Sequence, residues 1–236
     1  MVQSDFHIRN IANVVHSWMG YLYEVSEVKH LAAESSLKYP IVGLLERKVA
    51  ITNIELEIEH PSFSLKRVDF YWEGNSTKNY MEMKYIRDSK VDIQKILNDV
   101  FRLALIDDKD AQKYFLACGR AMNFQKYFQN VSQNESNQKI IEIIDEVIVK
   151  QSGESNNNAL DTYFCFVEEL DKRIIIDVEN DKHYKKFKEE YEDSCKDGYM
   201  IPDMITISIK LLQPINKGLE SAVAVWKIER IEDELL

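Results

Sequence analysis

Between Ile51 and Ile86, apolar and polar residues alternate with period two through successive segments, a pattern that a run of β-strands satisfies and a helix does not. In "ITNIELEIEH", Ile54, Leu56 and Ile58 are expected on one face and Glu55, Glu57 and Glu59 on the other. His60-Pro61 ends that strand. "VDFYW" and "YMEMKYI" then read as a hairpin around the polar turn "EGNSTKN". One face of the hairpin carries Val68, Phe70, Trp72, Met81, Met83 and Tyr85. The other carries Arg67, Asp69, Tyr71, Glu73, Tyr80, Glu82, Lys84 and Ile86.

On either side the period changes. From Asn10 to about Glu34, Ile11, Val14, Val15, Trp18, Leu22 and Val25 recur at helical spacing, and a second helix is expected from Pro40, with Ile41, Leu44 and Leu45 as its stripe. After the hairpin, "KVDIQKILNDVFRLALID" buries Ile93, Ile96, Leu97, Val100 and Ala104 as a helix, and "KYFLACG" is a buried strand stopped by Gly119. "NFQKYFQN" and "QKIIEIIDEVIVK" read as helices, the second between polar loops too short to link independent domains. "TYFCFVEE", "RIIIDV", "MITISIKLL" and "AVAVWKIERI" read as strands, and "KHYKKFKEEYEDS" as a charged helix. The expectation is a mixed α/β fold, with a central mixed sheet flanked by helices. It forms a single domain over residues 1–236, with a core over roughly 10–130 and an α+β extension over 131–236.

Several function classes find no support. The net charge of -10 does not favour a polyanionic partner, so any such partner needs a local basic patch. The three cysteines, Cys118, Cys165 and Cys195, are widely spaced, which suits neither a disulfide framework nor a zinc site. The five histidines lack metal-ligand spacing, and no glycine-rich phosphate loop or serine-hydrolase elbow occurs. The first residues lack the apolar stretch of a signal peptide, and no run approaches the roughly 18 apolar residues of a membrane span. A cytoplasmic protein with no membrane partner is expected.

The polar hairpin face holds the candidate chemistry. Glu82 and Lys84 share a face, and across an antiparallel pair Asp69 lies opposite or diagonal to Glu82. Two carboxylates at that spacing repel unless a cation such as Mg²⁺ neutralises them, and such a metal with a lysine and a water can cleave a phosphodiester. The acidic-x-Lys triplet alone says little. It occurs five times, at Glu27/Lys29, Glu46/Lys48, Glu82/Lys84, Asp88/Lys90 and Asp107/Lys109. Only Glu82/Lys84 lies in a strand that follows a strand carrying an Asp. The competing reading is a wet sheet face with ordinary cross-strand charge pairs.

With "RVDFYW" followed by "YMEMKYI", and helix, three strands, helix and strand in that order from about Asn10 to Gly119, the chain resembles the PD-(D/E)XK nuclease superfamily. The resemblance implies a restriction-endonuclease-like core. Asp69 and Glu82 would bind Mg²⁺ or Mn²⁺ together with the Met83 main-chain carbonyl, and Lys84 would position the attacking water. A helical Glu would also face the metal, with Glu34 the first candidate and Glu46 the second, and Gln94 on the following helix is a further polar neighbour. The implied partner is nucleic acid, DNA ahead of RNA, and the implied setting is phage defence or restriction. Arg87, Lys90, Lys95 and Arg120, with Arg102, Lys113 and Lys126, form a basic series after the hairpin that could track phosphates or could be solvated helix faces. The alternative function is a non-catalytic or partner-dependent accessory module on the same fold. A homodimer or larger assembly is a further expectation.

Overall fold

The computed structural model describes residues 3–25, 33–48, 50–74, 76–87, 92–121, 123–124, 140–144, 147–151, 164, 173–178, 181–213 and 221–231. In chain order its elements are α1 (Gln3–Glu24), α2 (Glu34–Leu45), β1 (Ile51–Glu59), β2 (Arg67–Gly74), β3 (Thr77–Ile86), α3 (Ile93–Ala104) and β4 (Gln112–Arg120). They continue as β5 (Ile140–Ile144), β6 (Val147–Gln151), β7 (Arg173–Asp177), α4 (Lys182–Tyr191), β8 (Thr206–Gln213) and β9 (Ser221–Ile231). The fold is mixed α/β, with helices on a central mixed sheet. One nine-stranded sheet runs β1-β2-β3-β4-β9-β8-β7-β6-β5. The β3–β4 and β6–β7 pairs are parallel and the rest antiparallel. The C-terminal strand β9 pairs directly with β4, so the late strands extend the sheet that begins with β1. Among the described residues no helix is long and apolar enough to cross a membrane.

Both faces of the sheet are covered. On one, α3 and α4 pack over Phe115, Trp226, Ile207 and Ile209. On the other, α1 and α2 pack over Phe70, Trp72, Met81, Met83 and Tyr114. The central strands β4 and β9 therefore read as near-continuous apolar runs, as strands buried on two sides must. This double cover corrects the idea of a wet hairpin face: Tyr71 and Tyr80 are buried, and Glu82 is 3% exposed.

The alternation expected of β1 breaks at one residue. Ile54 packs against the α1/α2 side, Leu56 is exposed and Ile58 packs against the α3/α4 side. Glu57, between them, has φ 53°, a left-handed conformation that turns the following side chain out of the period-two pattern. Its strand neighbour β2 switches at the same level, with Val68 in the α3/α4 core and Phe70 in the α1/α2 core. Val68 therefore does not share a face with Phe70 and Trp72, contrary to the sequence pattern.

Three further expectations change. The first helix ends at Glu24, and the second begins at Glu34, where the Ser36 hydroxyl reaches back to the Ala33 backbone. Pro40 sits inside α2 rather than at its start. The segment "QKIIEIIDEVIVK" contributes the antiparallel strands β5 and β6, not a helix. Its Ile and Val residues are stiff at χ1 and prefer a pleated surface, and that preference outweighs the helical spacing. The expected "NFQKYFQN" helix and "TYFCFVEE" strand lie almost wholly outside the described residues.

The helix α3 is pinned at both ends. Asp92 caps its N-terminus by accepting the Gln94 N–H. At the other end the Ser62 hydroxyl and the Tyr199 hydroxyl donate to the Leu105 carbonyl. His60 accepts the Ser62 N–H at Nδ1 and donates from Nε2 to the Arg102 carbonyl. Burial holds His60 neutral, with its pKa lowered to about 3.

Strand β4 approaches β3 so closely at the Ile86–Gly119 pair that a Cβ on Gly119 would lie 2.4 Å from the Ile86 carbonyl oxygen. Gly119→Ala is expected to destabilise the protein by about 1–3 kcal/mol, read as a lower urea midpoint at unchanged slope.

Candidate functional site

The β2–β3 register runs from Gly74↔Thr77 to Phe70↔Met81 and stops there. One step further it would set Asp69 opposite Glu82. At that point the Asp69 side chain takes over from the backbone, its Oδ2 accepting the Met83 N–H at 2.8 Å. Meanwhile β3 stays paired with β4 as far as Ile86. The two strands thus part at Asp69, and side chains from α2 and α3 reach the gap.

From α3, Arg102 brings Nη2 to 2.8 Å from Glu82 Oε1 and 2.6 Å from Asp99 Oδ1, and its Nη1 donates to the Arg67 carbonyl at 2.9 Å. The approach to Glu82 is close but poorly aligned, and Oε1 has no hydrogen-bond partner of good geometry among the described residues. Asp99 also holds Lys84, its Oδ2 lying 3.1 Å from Nζ. From α2, Glu34 Oε2 accepts the Tyr85 N–H at 3.0 Å and lies 3.9 Å from Lys84 Nζ. Lys38, one turn later, donates to Asp69 Oδ1 at 2.7 Å and also pairs with Glu57.

Three of the residues singled out in the sequence, Asp69, Glu82 and Lys84, therefore come together, with Glu34 beside them. The Met83 N–H points to Asp69, and in a strand a residue's carbonyl leaves on the same side as its N–H, so the Met83 carbonyl is directed toward the same gap. Lys84 is less simply placed than expected: its ammonium is drawn to Asp99 and Glu34 rather than to the Asp69–Glu82 pair. Glu46 is exposed at the far end of α2 and takes no part. Gln94 faces α4, bonding the His183 ring and carbonyl and Asn98.

The basic series divides. Arg102 is buried in the cluster, and Lys113 is buried with Nζ donating to the Ile106 carbonyl, so neither belongs to a surface. Arg87, Lys95 and Arg120 are exposed. Arg87 and Arg120 follow the paired residues Ile86 and Gly119, which sets them side by side beyond the Lys84 end of the gap. Arg120 also lies over the Tyr23 ring. Lys90 and Lys126 lie outside the described residues.

Sequence reasoning missed Lys38 and Asp99 and misassigned Arg102. Signals for all three were present. Lys38 is four residues after Glu34, hence on the same helix face, and Asp99 and Arg102 are an i,i+3 pair in a helix otherwise rich in buried apolar positions.

Burial and charge grade across the cluster. Glu82, Asp99 and Arg102 lie inside, while the Lys84 and Glu34 side chains are 27% and 35% exposed and form the open side. Five carboxylates (Glu34, Glu57, Asp69, Glu82 and Asp99) meet three cations (Lys38, Lys84 and Arg102), a formal excess of two negative charges. Burial, with the charges of Asp99 and Asp69, pushes the Glu82 carboxyl well above its usual range even though Arg102 pulls the other way. Burial also raises Glu34, against Lys84 and the Tyr85 N–H. For Lys84, burial disfavours the charge, but Asp99, Glu34 and Asp69 outweigh it and its pKa rises.

Among the described residues no three His, Cys, Asp or Glu side chains gather as a metal-ligand group. The donors present still fit the Mg²⁺ or Mn²⁺ implied by the resemblance. Mg²⁺ is commonly held by one or two carboxylates and keeps several waters, and Asp69, Glu82 and the Met83 carbonyl are hard oxygen donors of that kind. The formal surplus of negative charge favours a cation there. Comparisons with family models, curated proteins and solved structures return no match for this chain.

Because Glu82 binds its proton more tightly in the folded than in the unfolded chain, it adds stability below the unfolded carboxyl range of about 4.3, and that contribution is lost as pH rises toward the folded value. Glu82→Gln removes this dependence. The variant's melting temperature is expected to gain on wild type as pH rises above about 5; a constant or shrinking difference would contradict the raised carboxyl.

Proposed function

We propose that this chain is a divalent-metal-dependent nuclease of the PD-(D/E)XK type, hydrolysing phosphodiester bonds in nucleic acid. The observation that carries the reading is the meeting of Asp69 and Glu82 where β2 and β3 part, with Lys84 and Glu34 on the open side of the gap. Asp69, Glu82 and the Met83 carbonyl would hold the metal. Bound there, Mg²⁺ or Mn²⁺ supplies charge stabilisation to the phosphate oxygens and acidifies a water.

The chain's own residues divide the remaining work. Lys84, held by Asp99 and Glu34 and with a raised pKa, keeps its proton at neutral pH. It therefore orients the attacking water and balances charge rather than acting as a base. Glu34, whose pKa is raised by burial and which sits 3.9 Å from Lys84, is the better proton acceptor of the two. Arg102 and Asp99 hold Glu82 and Lys84 in place from behind. Arg87 and Arg120, exposed beyond the open side, suit contacts to the phosphate backbone, DNA ahead of RNA.

The test is cleavage of plasmid, single-stranded DNA and RNA with Mg²⁺ or Mn²⁺. Wild type is expected to cut at least one of these, and Lys84→Ala and Asp69→Asn to cut it about 100-fold more slowly or worse. Equal rates for wild type and Lys84→Ala would remove the assigned role of Lys84. No cleavage of any substrate, together with no Mn²⁺ binding, would favour the accessory-module reading.

A further inference from the structure

Asp69 has two carboxylate oxygens with different partners. Oδ2 accepts the Met83 N–H within the β3 backbone, and Oδ1 accepts the Lys38 ammonium. A divalent cation approaching Asp69 from the gap therefore meets Lys38 at the oxygen not committed to the sheet. We propose that Lys38 is a displaceable counter-cation of Asp69: its ammonium and a divalent metal compete for that carboxylate, and Glu57 receives the ammonium when the metal takes it. This rests on the metal-dependent reading above.

The cluster's two carboxylate-pairing cations from α2 and α3 are built differently. Arg102 is buried, and its planar fork is fixed by Glu82, Asp99 and the Arg67 carbonyl on three elements. Lys38 is a point charge on a flexible four-carbon stem, and it has a second acceptor already in contact. That acceptor, Glu57, is 47% exposed on the edge strand β1, so moving the ammonium onto it alone keeps the charge paired and brings it nearer water. The backbone at Glu57 supports the same role. Its φ of 53° is a conformation that a residue other than glycine takes only at an energetic cost, and Glu57 lies at the strand level of Asp69, with its carboxylate on Lys38. The left-handed backbone thus falls at the residue that gives Lys38 its second carboxylate, opposite Asp69 on the neighbouring strand.

The competition makes a prediction that does not depend on catalysis. In calorimetric titration of the full chain with MnCl₂, Lys38→Met is expected to bind Mn²⁺ about tenfold more tightly than wild type, since the metal no longer has to break a charge-assisted hydrogen bond. Asp69→Asn should abolish that binding in both backgrounds. Glu57→Gln, which removes the ammonium's alternative acceptor, should weaken Mn²⁺ binding in wild type and change it little in Lys38→Met, a non-additive pair of effects. If wild type binds Mn²⁺ through Asp69 but Lys38→Met binds it equally or more weakly, the inference fails and the metal reading stands. If neither protein binds Mn²⁺, the metal reading fails and takes this inference with it. Should Lys38→Met not fold, as judged by circular dichroism, Glu57→Gln decides alone: unchanged or tighter Mn²⁺ binding overturns the proposal.

Discussion

The guanidinium of Arg102 is the constraint on which the site depends. A buried cation must be matched by acceptors, and breaking such a match from one side costs about 3–5 kcal/mol because a charge is left unpaired in the interior. Arg102 finds its acceptors on three elements: Glu82 on β3, Asp99 on its own helix, and the Arg67 carbonyl at the start of β2. Meeting all three fixes how α3 lies across the two strands at the level where they separate. The rest of the scaffold serves the same placement. His60, Ser62 and Tyr199 hold the end of α3 that carries Arg102. From the other side α4 holds it through Gln94, Asn98 and the packing of Phe101 against Tyr184 and Phe187.

From that fixed point the cluster grades outward. Arg102 serves the buried Glu82, Asp99 links Arg102 to the half-exposed Lys84, and Lys84 faces Glu34 at the opening. Each step moves a charge nearer to water. A cross-strand Glu–Lys pair on a solvated sheet face would have none of this. Its charges would be exposed and screened, and worth well under about 1 kcal/mol each. The burial of Glu82 is what argues against a solvated sheet face.

The hairpin trio was legible because strand parity assigns faces by counting, although β1 and β2 depart from it at the level of Glu57 and Asp69. Asp69, Glu82 and Lys84 could be put on one face by counting, and α3, β4, β7, α4, β8 and β9 followed from periodicity and apolar runs. The partners of the trio were not legible in the same way. Lys38 shares a helix face with Glu34 by spacing, and Asp99 shares one with Arg102, but which helix face meets a gap between two strands is decided by tertiary packing. The switch at Glu57 had no sequence signal, since left-handed backbone is usually marked by Gly or Asn and here the residue is Glu. The segment that forms β5 and β6 misled for a different reason. A stretch dense in Ile and Val satisfies a helical template and a strand template at once, and only pairing with β7 resolves it.

The charge balance bears on how a polyanion could be accommodated at all. The chain carries a net charge of -10, and the gap itself holds two more carboxylates than cations. A phosphodiester brought to that gap would add negative charge to a partly buried region where Glu34 and Glu82 already resist ionising. In the nuclease reading, a divalent cation removes the formal excess and gives the phosphate something to bind. Metal and nucleic acid should then enter in a coupled way, each improving the site for the other. The exposed Arg87 and Arg120 offset charge only at the rim, beyond Lys84, so they can steer a backbone toward the opening but cannot neutralise Asp69 and Glu82. On this reasoning, the acidic composition that argues against a general nucleic-acid-binding surface is compatible with a local, metal-conditioned one.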